Sequence, residues 1–483
     1  MNTLDGAMRR TKWSFVALLS LVTGCSAGGL EATPLTPHAD AAGRYAIDNA
    51  WSRLGTMNDP SLAAELAVSR QSARRRPPPT TDSALDWQFL VDAPLNETPA
   101  LYVSGTAEDN ATDRMFATGG KRGFFSVTYY FYAFENLYGT SPTVVWQKTI
   151  DSAVDGSAIA LTPDATKVFA VTKKGTVYGF NTADGSAATG FPVSLGNKVS
   201  WSSPWIDFLT QPYPLYVGDV RGHVTRIDSS TGAKLTSVRL CTAIHSSPIV
   251  WNGVVWAGCD DGSLHRLDPQ TMTEFTPATK LCATATCRGN DAIYSAPFVD
   301  SIGDRLLVGV NNQVAVVDIS AATGCTTGPA ACPVTLQTVG KSAIFYSSPF
   351  IDFAAGYVYI AFNNALWRAS YDGTAITSPF VAASHPLAGT NADAGYPKSS
   401  PLAFDGHVWV GDGGGFVNRY STDGFAFENA TEQYGVSIDT TPLIDVAGGN
   451  IYFGTNGTTT IGRRGRVNVD ETKGSWVQLT QTW

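Results

Sequence analysis

The chain has 483 residues, 43% of them hydrophobic and 15% charged, with a net charge of −8. That length supports a large buried core, and the acidic balance excludes a nucleic-acid surface. Few charges, 47 glycines and 11% aromatics suit a turn-rich all-β protein.

In chain order, Met8-Arg9-Arg10-Thr11-Lys12 is basic, Trp13 to Thr23 is mostly apolar, and Val22-Thr23-Gly24-Cys25 closes the run with small residues. This order describes an export signal, shorter than the ~20 apolar residues of a spanning helix. Asp5 lies upstream and no positive charge does, so translation is expected to start at Met8. Val-Thr-Gly-Cys resembles the lipobox of bacterial lipoproteins. The resemblance implies cleavage before Cys25, acylation of that residue and, with Ser26 following, sorting to an outer membrane. Residues 1–24 are thus read as a lipoprotein signal peptide and 25–83 as a tether. Within the tether, Ala41 to Leu66 has helical character through Tyr45, Ile47, Trp51, Leu54, Leu62 and Leu66, interrupted by Gly55 and Pro60. Residues 67–83 are basic and proline-rich, as in an extended linker; Arg74-Arg75-Arg76 precedes Pro77-Pro78-Pro79.

From about residue 84 the chain repeats itself. Trp201-Ser202-Ser203-Pro204, His245-Ser246-Ser247-Pro248, Tyr294-Ser295-Ala296-Pro297, Tyr346-Ser347-Ser348-Pro349, Lys398-Ser399-Ser400-Pro401 and Asp439-Thr440-Thr441-Pro442 are versions of one phrase. Their prolines stand 44, 49, 52, 52 and 41 residues apart. A unit of that size made of short apolar runs means stacked or radial repetition. After each phrase comes a turn, then a β-branched and aromatic run such as Leu215-Tyr216-Val217-Gly218 or Val408-Trp409-Val410-Gly411. A tight turn such as Asp261-Gly262 follows, then a third run such as Val224-Thr225-Arg226-Ile227-Asp228, and then a more variable fourth. Two further units precede these, around Glu97-Thr98-Pro99 and Ser157-Ala158-Ile159.

Four antiparallel strands per unit, in six plus two units, predict an all-β fold: an eight-bladed β-propeller over 84–483. It has seven blades if the irregular first unit is an elaboration. Trp87-Gln88-Phe89-Leu90 and Trp476-Val477-Gln478-Leu479 are the candidates for completing one blade from both ends of the chain and closing the ring.

Six cysteines follow Cys25. In an exported chain an even number suggests disulfides. Cys282 with Cys287 and Cys325 with Cys332 would each close a small loop, and Cys241 with Cys259 is a plausible third pair; sequence alone does not choose among the pairings. No CxxC pair occurs, and no metal site is expected.

The unit, Ser-Ser-Pro, turn, apolar run ending in Gly, turn, third run ending in Asp, then Thr-Gly, resembles the PQQ-type β-propeller repeat. That family includes quinoprotein alcohol dehydrogenases and the non-enzymatic propeller lipoprotein of the outer-membrane barrel assembly machinery. The dehydrogenase branch implies a disulfide of adjacent cysteines beside the quinone, and calcium or a lanthanide held by Glu, Asn and Asp. No two cysteines are adjacent here. PQQ and calcium are therefore expected only under that alternative.

The residue before each Ser-Ser-Pro is the variable part of the phrase. Trp201, His245, Tyr294, Tyr346, Lys398 and Asp439 could ring the channel mouth as a stacking and hydrogen-bonding surface, or simply pack between blades. The repeated serines lack a GxSxG elbow and read as a turn device bonding local backbone. No His-x-His or HExxH spacing occurs, and no catalytic residue is assigned. The sequence reading is a monomeric, extracytoplasmic lipoprotein of a Gram-negative outer membrane. It would scaffold protein partners in the envelope and bind the membrane through its lipid, with no nucleic acid; the alternatives are a divergent quinoprotein dehydrogenase and an envelope polysaccharide-binding module.

Overall fold

A computed structural model describes residues 44–47 and 83–481, except 94, 96–97, 105–112, 138–140, 208–209, 283–290, 341–346, 389–397, 405, 432, 436, 446–449 and 462–466. The signal peptide, Cys25, most of the tether and Tyr346 lie outside the described residues. Residues Pro34–Trp483 form one compact unit.

This unit is nearly all β and contains eight antiparallel sheets, seven of four strands and one of five. Blade 1 comprises Ala100–Ser104, Arg114–Arg122, Val127–Glu135 and Thr143–Ile150. Blades 2 to 7 span 160–194, 205–239, 249–280, 298–338, 350–382 and 402–430, each from four strands consecutive in the chain. Blade 8 is composite. Leu443–Asp445, Asn450–Ile461 and Val467–Gln481 come from the C-terminal end, and Ser83–Val91 pairs outside them along Val467–Gln481. So the upstream candidate closes the ring, joining residues 387 apart through the Gln88 Nε2 to Ser475 Oγ bond. Closure leaves the last blade no naked third strand.

The local reasons match the sequence. Val254–Gly258 and Ser263–Leu267 are buried at every position, as strands packed on both faces must be. Asn252 and Gly253 both have positive φ, 49° and 70°, as a two-residue hairpin between Trp251 and Val254 requires. Each blade buries its faces on its neighbours. One cluster joins Leu443 and Tyr452 of blade 8 to Leu101, Met115 and Phe134 of blade 1, so the core also crosses the closure. Each fully buried large apolar side chain contributes roughly 1.5–3 kcal/mol.

One element departs from expectation. Arg44–Ile47, within the stretch read as helical, is a strand that pairs antiparallel with Ala100–Ser104 and gives blade 1 its fifth strand. The innermost strand of a blade leaves one backbone edge unpaired, and that edge captures the extended segment more effectively than a Gly- and Pro-interrupted helix could compete.

Two disulfides are described, Cys241–Cys259 and Cys325–Cys332. Cys282 is disulfide-bonded as well; Cys287 lies outside the described residues. Cys259, Asp261 and His265 bring ligand atoms together, but the Cys259 sulfur is already bonded to Cys241 and His265 Nδ1 lies 2.7 Å from Glu274 Oε1.

Candidate functional site: the channel mouth

The Ser-Ser-Pro phrase is a two-way clamp. The first hydroxyl pins its own blade: Gly218 N–H donates to Ser202 Oγ at 3.0 Å, Gly309 N–H to Ser295 Oγ at 3.1 Å, Gly411 N–H to Ser399 Oγ at 3.0 Å and Gly454 N–H to Thr440 Oγ1 at 3.0 Å. The start of each inner strand is thereby held beside the end of the second strand. That contact also explains the glycines: a Cβ on Gly218 would stand 2.8 Å from Ser202 Oγ and 2.4 Å from Ile244.

The second hydroxyl reaches the preceding blade instead. Ala158 N–H donates to Ser203 Oγ at 2.8 Å and Ser203 N–H to Ser247 Oγ at 2.9 Å. Ala296 N–H donates to Ser348 Oγ at 3.0 Å, Ser348 N–H to Ser400 Oγ at 2.9 Å and Ser400 N–H to Thr441 Oγ1 at 3.4 Å. The ring closes where Thr441 N–H donates to Thr98 Oγ1 at 3.2 Å, across 343 residues. Only the junctions that would need a hydroxyl from Ala158 or Ala296 lack this bond. The expectation that these serines bond local backbone therefore holds for the first serine at Ser202, Ser295, Ser347 and Ser399. It fails at Ser246, whose Oγ donates to Ser295 O in the next blade, and it fails for the second serine, whose partner lies 41 to 52 residues away.

This collar floors a small open cleft walled by Gly156, Trp201, Tyr294, Lys398 and Asp439. Four of the six residues singled out by sequence thus converge. Lys398 Nζ lies 3.1 Å from Asp439 Oδ2 and 5.5 Å from the centre of the Trp201 ring. Asn456 Nδ2 donates to the same Oδ2 at 2.7 Å. Asp439 is 10% exposed and Lys398 31%. The mouth is thus a cation held between a carboxylate and an aromatic face.

Trp201 has φ of 63°, the left-handed region that bulky residues avoid. Its N–H donates to Asp155 O at 2.7 Å, and its ring lies where any Cβ on Gly156 would stand. Such backbone strain costs on the order of 1–3 kcal/mol and persists only where the surroundings enforce it. His245 stands apart from the cleft wall. Its Nδ1 lies 2.9 Å from both Asp260 oxygens, and its ring meets Tyr294 edge-on at 5.0 Å. Asn456, Gly156, Thr98 and Thr441 were missed as site residues. Thr98 and Thr441 were recoverable from the repeat, which puts a hydroxyl at the third position of their phrases.

No family model matches the sequence, and no curated protein matches it. Solved structures do. The crystal structure of BamB from Moraxella catarrhalis matches at 13% identity and TM-score 0.53, over 83% of this chain and 98% of that one. A europium-containing methanol dehydrogenase matches at 12% identity and TM-score 0.57, over 83% of this chain and 94% of its own. The quinohemoprotein alcohol dehydrogenase ADHIIG from Pseudomonas putida HK5 matches at 12% and 0.57, over 86% of this chain and 79% of that one. The likeness shows the fold, the β-propeller that those proteins share.

Proposed function

We propose that this chain is a non-catalytic lipoprotein of the cell envelope, anchored through Cys25, whose ring presents the channel mouth to a protein partner. The observation that carries the reading is the contrast at the mouth. A hydroxyl clamp spanning six of the eight junctions fixes the inner strands, while the one slot ahead of it is filled by Trp201, Tyr294, Lys398 and Asp439, with Trp201 strained into place. A rigid floor under mixed aromatic and charged groups loses little entropy when a partner docks.

Two features argue against the enzymatic alternative. The collar hydroxyls already accept backbone N–H groups, and a hydroxyl needs a positioned base to attack. The donor set also does not fit a calcium–quinone pair. The carboxylate lining the cleft, Asp439, spends Oδ2 on Lys398 and Asn456, and the Lys398 ammonium stands where it would repel a second cation. Calcium takes about 6–8 oxygen ligands.

The test is cross-linking and capture from detergent-solubilised envelopes with the wild type and with Trp201→Ala/Tyr294→Ala. Loss of a defined protein from the variant supports the reading; identical capture by both refutes it. A rise in melting temperature on adding PQQ with calcium would favour the dehydrogenase instead.

A further inference from the structure

Blade 1 carries a hairpin unlike those of blades 2 to 7. Its second and third strands, Arg114–Arg122 and Val127–Glu135, have nine residues each, against four to six in the second and third strands of those blades. The inner strand starts at Ala100, level with Phe116. The hairpin continues past that level to Arg122 paired with Val127, roughly 20 Å at the usual rise per residue. In a blade the turn between second and third strands lies on the face where the inner strand begins, as the Gly218 to Ser202 bond fixes in blade 3. The extended tip therefore stands on the mouth face.

At that tip Phe124 and Phe125 are each 94% exposed and meet edge to face at 4.7 Å. Lys121 and Arg122 flank them, exposed. The base is fastened. Gly123 N–H donates to Ser126 O, Arg122 N–H donates to Asp92 Oδ2 at 2.9 Å, and Asp92 N–H donates to Gly120 O at 2.7 Å. Gly119 packs so closely on the closing strand that a Cβ there would stand 2.6 Å from Val91 Cγ1. The aromatic pair is thus carried on a braced stalk.

We propose that this tip dips into the surface of an anionic lipid bilayer and turns the mouth face toward the membrane. A narrow convex point of six residues cannot supply the ~800 Å² per partner of an ordinary protein interface. It does match the headgroup–acyl boundary, into which apolar side chains sink about 5–10 Å. Lys121 and Arg122, on a chain with net charge −8, place local positive charge beside the two rings, with the Asp92 carboxylate at the hairpin base the neighbouring negative group. The inference is independent of the partner proposed at the mouth, and it orients that partner at the bilayer surface.

The test uses residues 34–483, the compact unit, which removes the apolar run at 13–23 and Cys25. Flotation is measured with vesicles of phosphatidylethanolamine and phosphatidylglycerol, and with phosphatidylcholine alone. The wild type is expected to float with the anionic vesicles. Phe124→Ser/Phe125→Ser should weaken partitioning by about tenfold or more, and Lys121→Gln/Arg122→Gln by about fivefold per charge. Unchanged melting temperatures report intact folding, and hydrogen exchange on the unsubstituted protein gives a second reading: backbone amides 123–126 should slow when anionic vesicles are added. Absence of flotation, flotation indifferent to the phenylalanines, or a self-association that the phenylalanine variant abolishes overturns the proposal.

Discussion

Ser203→Ala tests the collar most directly. Ser203 Oγ accepts the buried N–H of Ala158 in the neighbouring blade at 2.8 Å. Alanine removes that acceptor and little volume, and the chain itself tolerates alanine at the equivalent positions Ala158 and Ala296, so overpacking and backbone distortion do not enter. What remains is a buried donor stripped of its partner, about 1–3 kcal/mol. Ser348, whose Oγ serves Ala296 N–H at 3.0 Å, offers the same perturbation three blades away. The two sites share no partner, so Ser203→Ala/Ser348→Ala should cost the sum of the single losses. With roughly 400 residues unfolding at about 2.1 cal/mol/K each, the entropy is roughly 0.8 kcal/mol/K, so a single loss lowers the melting temperature by about 1–4 °C. Denaturant midpoints should fall with slopes unchanged. Ser126→Ala, on the exposed hairpin tip, is the control and should stay within about 0.5 kcal/mol. If Ser203→Ala and Ser348→Ala behave like Ser126→Ala, the hydroxyl ring is a coincidence of geometry.

The turns predict an acid limit. The Thr271 backbone N–H pulls the Asp268 carboxyl below its ordinary range, and the Thr374 hydroxyl does the same for Asp372. Depressed values mean their stabilisation is present above the unfolded pKa near 4 and is lost as pH falls through the lower folded values. Melting temperature should therefore hold down to about pH 5 and drop below about pH 4. Burial raises Asp352, so its contribution has the opposite sign and falls just above the ordinary carboxyl value, not below it. Asp268→Asn/Asp372→Asn should flatten the acid limb, and an unchanged limb would refute the assignment. The disulfides should differ in worth. Cys241–Cys259 spans 18 residues and Cys325–Cys332 spans 7, giving about 3 and about 2.4 kcal/mol from loop entropy; denaturant titration of the two paired serine variants checks the order. Starting the chain after Val91 removes the outer strand of blade 8 and bares the Val467–Gln481 edge. Size-exclusion chromatography should then find aggregate that the longer chain does not form.

Much of this fold was legible because a propeller repeats short-range rules. Asn252-Gly253 sets its hairpin whatever the other blades do, and apolar runs such as Val254–Gly258 read as strands from composition alone. Pairing between distant parts was legible only in part. The sequence offered Trp87-Gln88-Phe89-Leu90 as one of two candidates for closing the ring, but that Ser83–Val91 pairs as the outer strand of blade 8 depends on an edge presented 387 residues later. The repeated second serine showed that a hydroxyl is needed at one position. It could not show that the hydroxyl serves the neighbouring blade, because the distance along the chain, 41 to 52 residues, corresponds to no local turn. Arg44–Ile47 was misread for the same reason: its strand exists only because the inner edge of Ala100–Ser104 is there to pair with it.

Placing the mouth residues from sequence succeeded for a physical reason. The clamp uses both hydroxyls of the phrase and the backbone around them, so those positions have little freedom. The residue immediately before the phrase contributes no atom to the hydroxyl ring, yet it emerges at the rim of the same collar. It is therefore a slot in which side-chain identity can change from Trp201 to Tyr294 to Lys398 to Asp439 while the strands beneath keep their hydrogen bonds. A repeat that fixes the floor so completely concentrates its variation where a ligand would meet it. The blade 1 hairpin ending in Phe124 and Phe125, longer than those of blades 2 to 7, rises on that face too. If both proposals hold, recognition and membrane approach share one side of the ring.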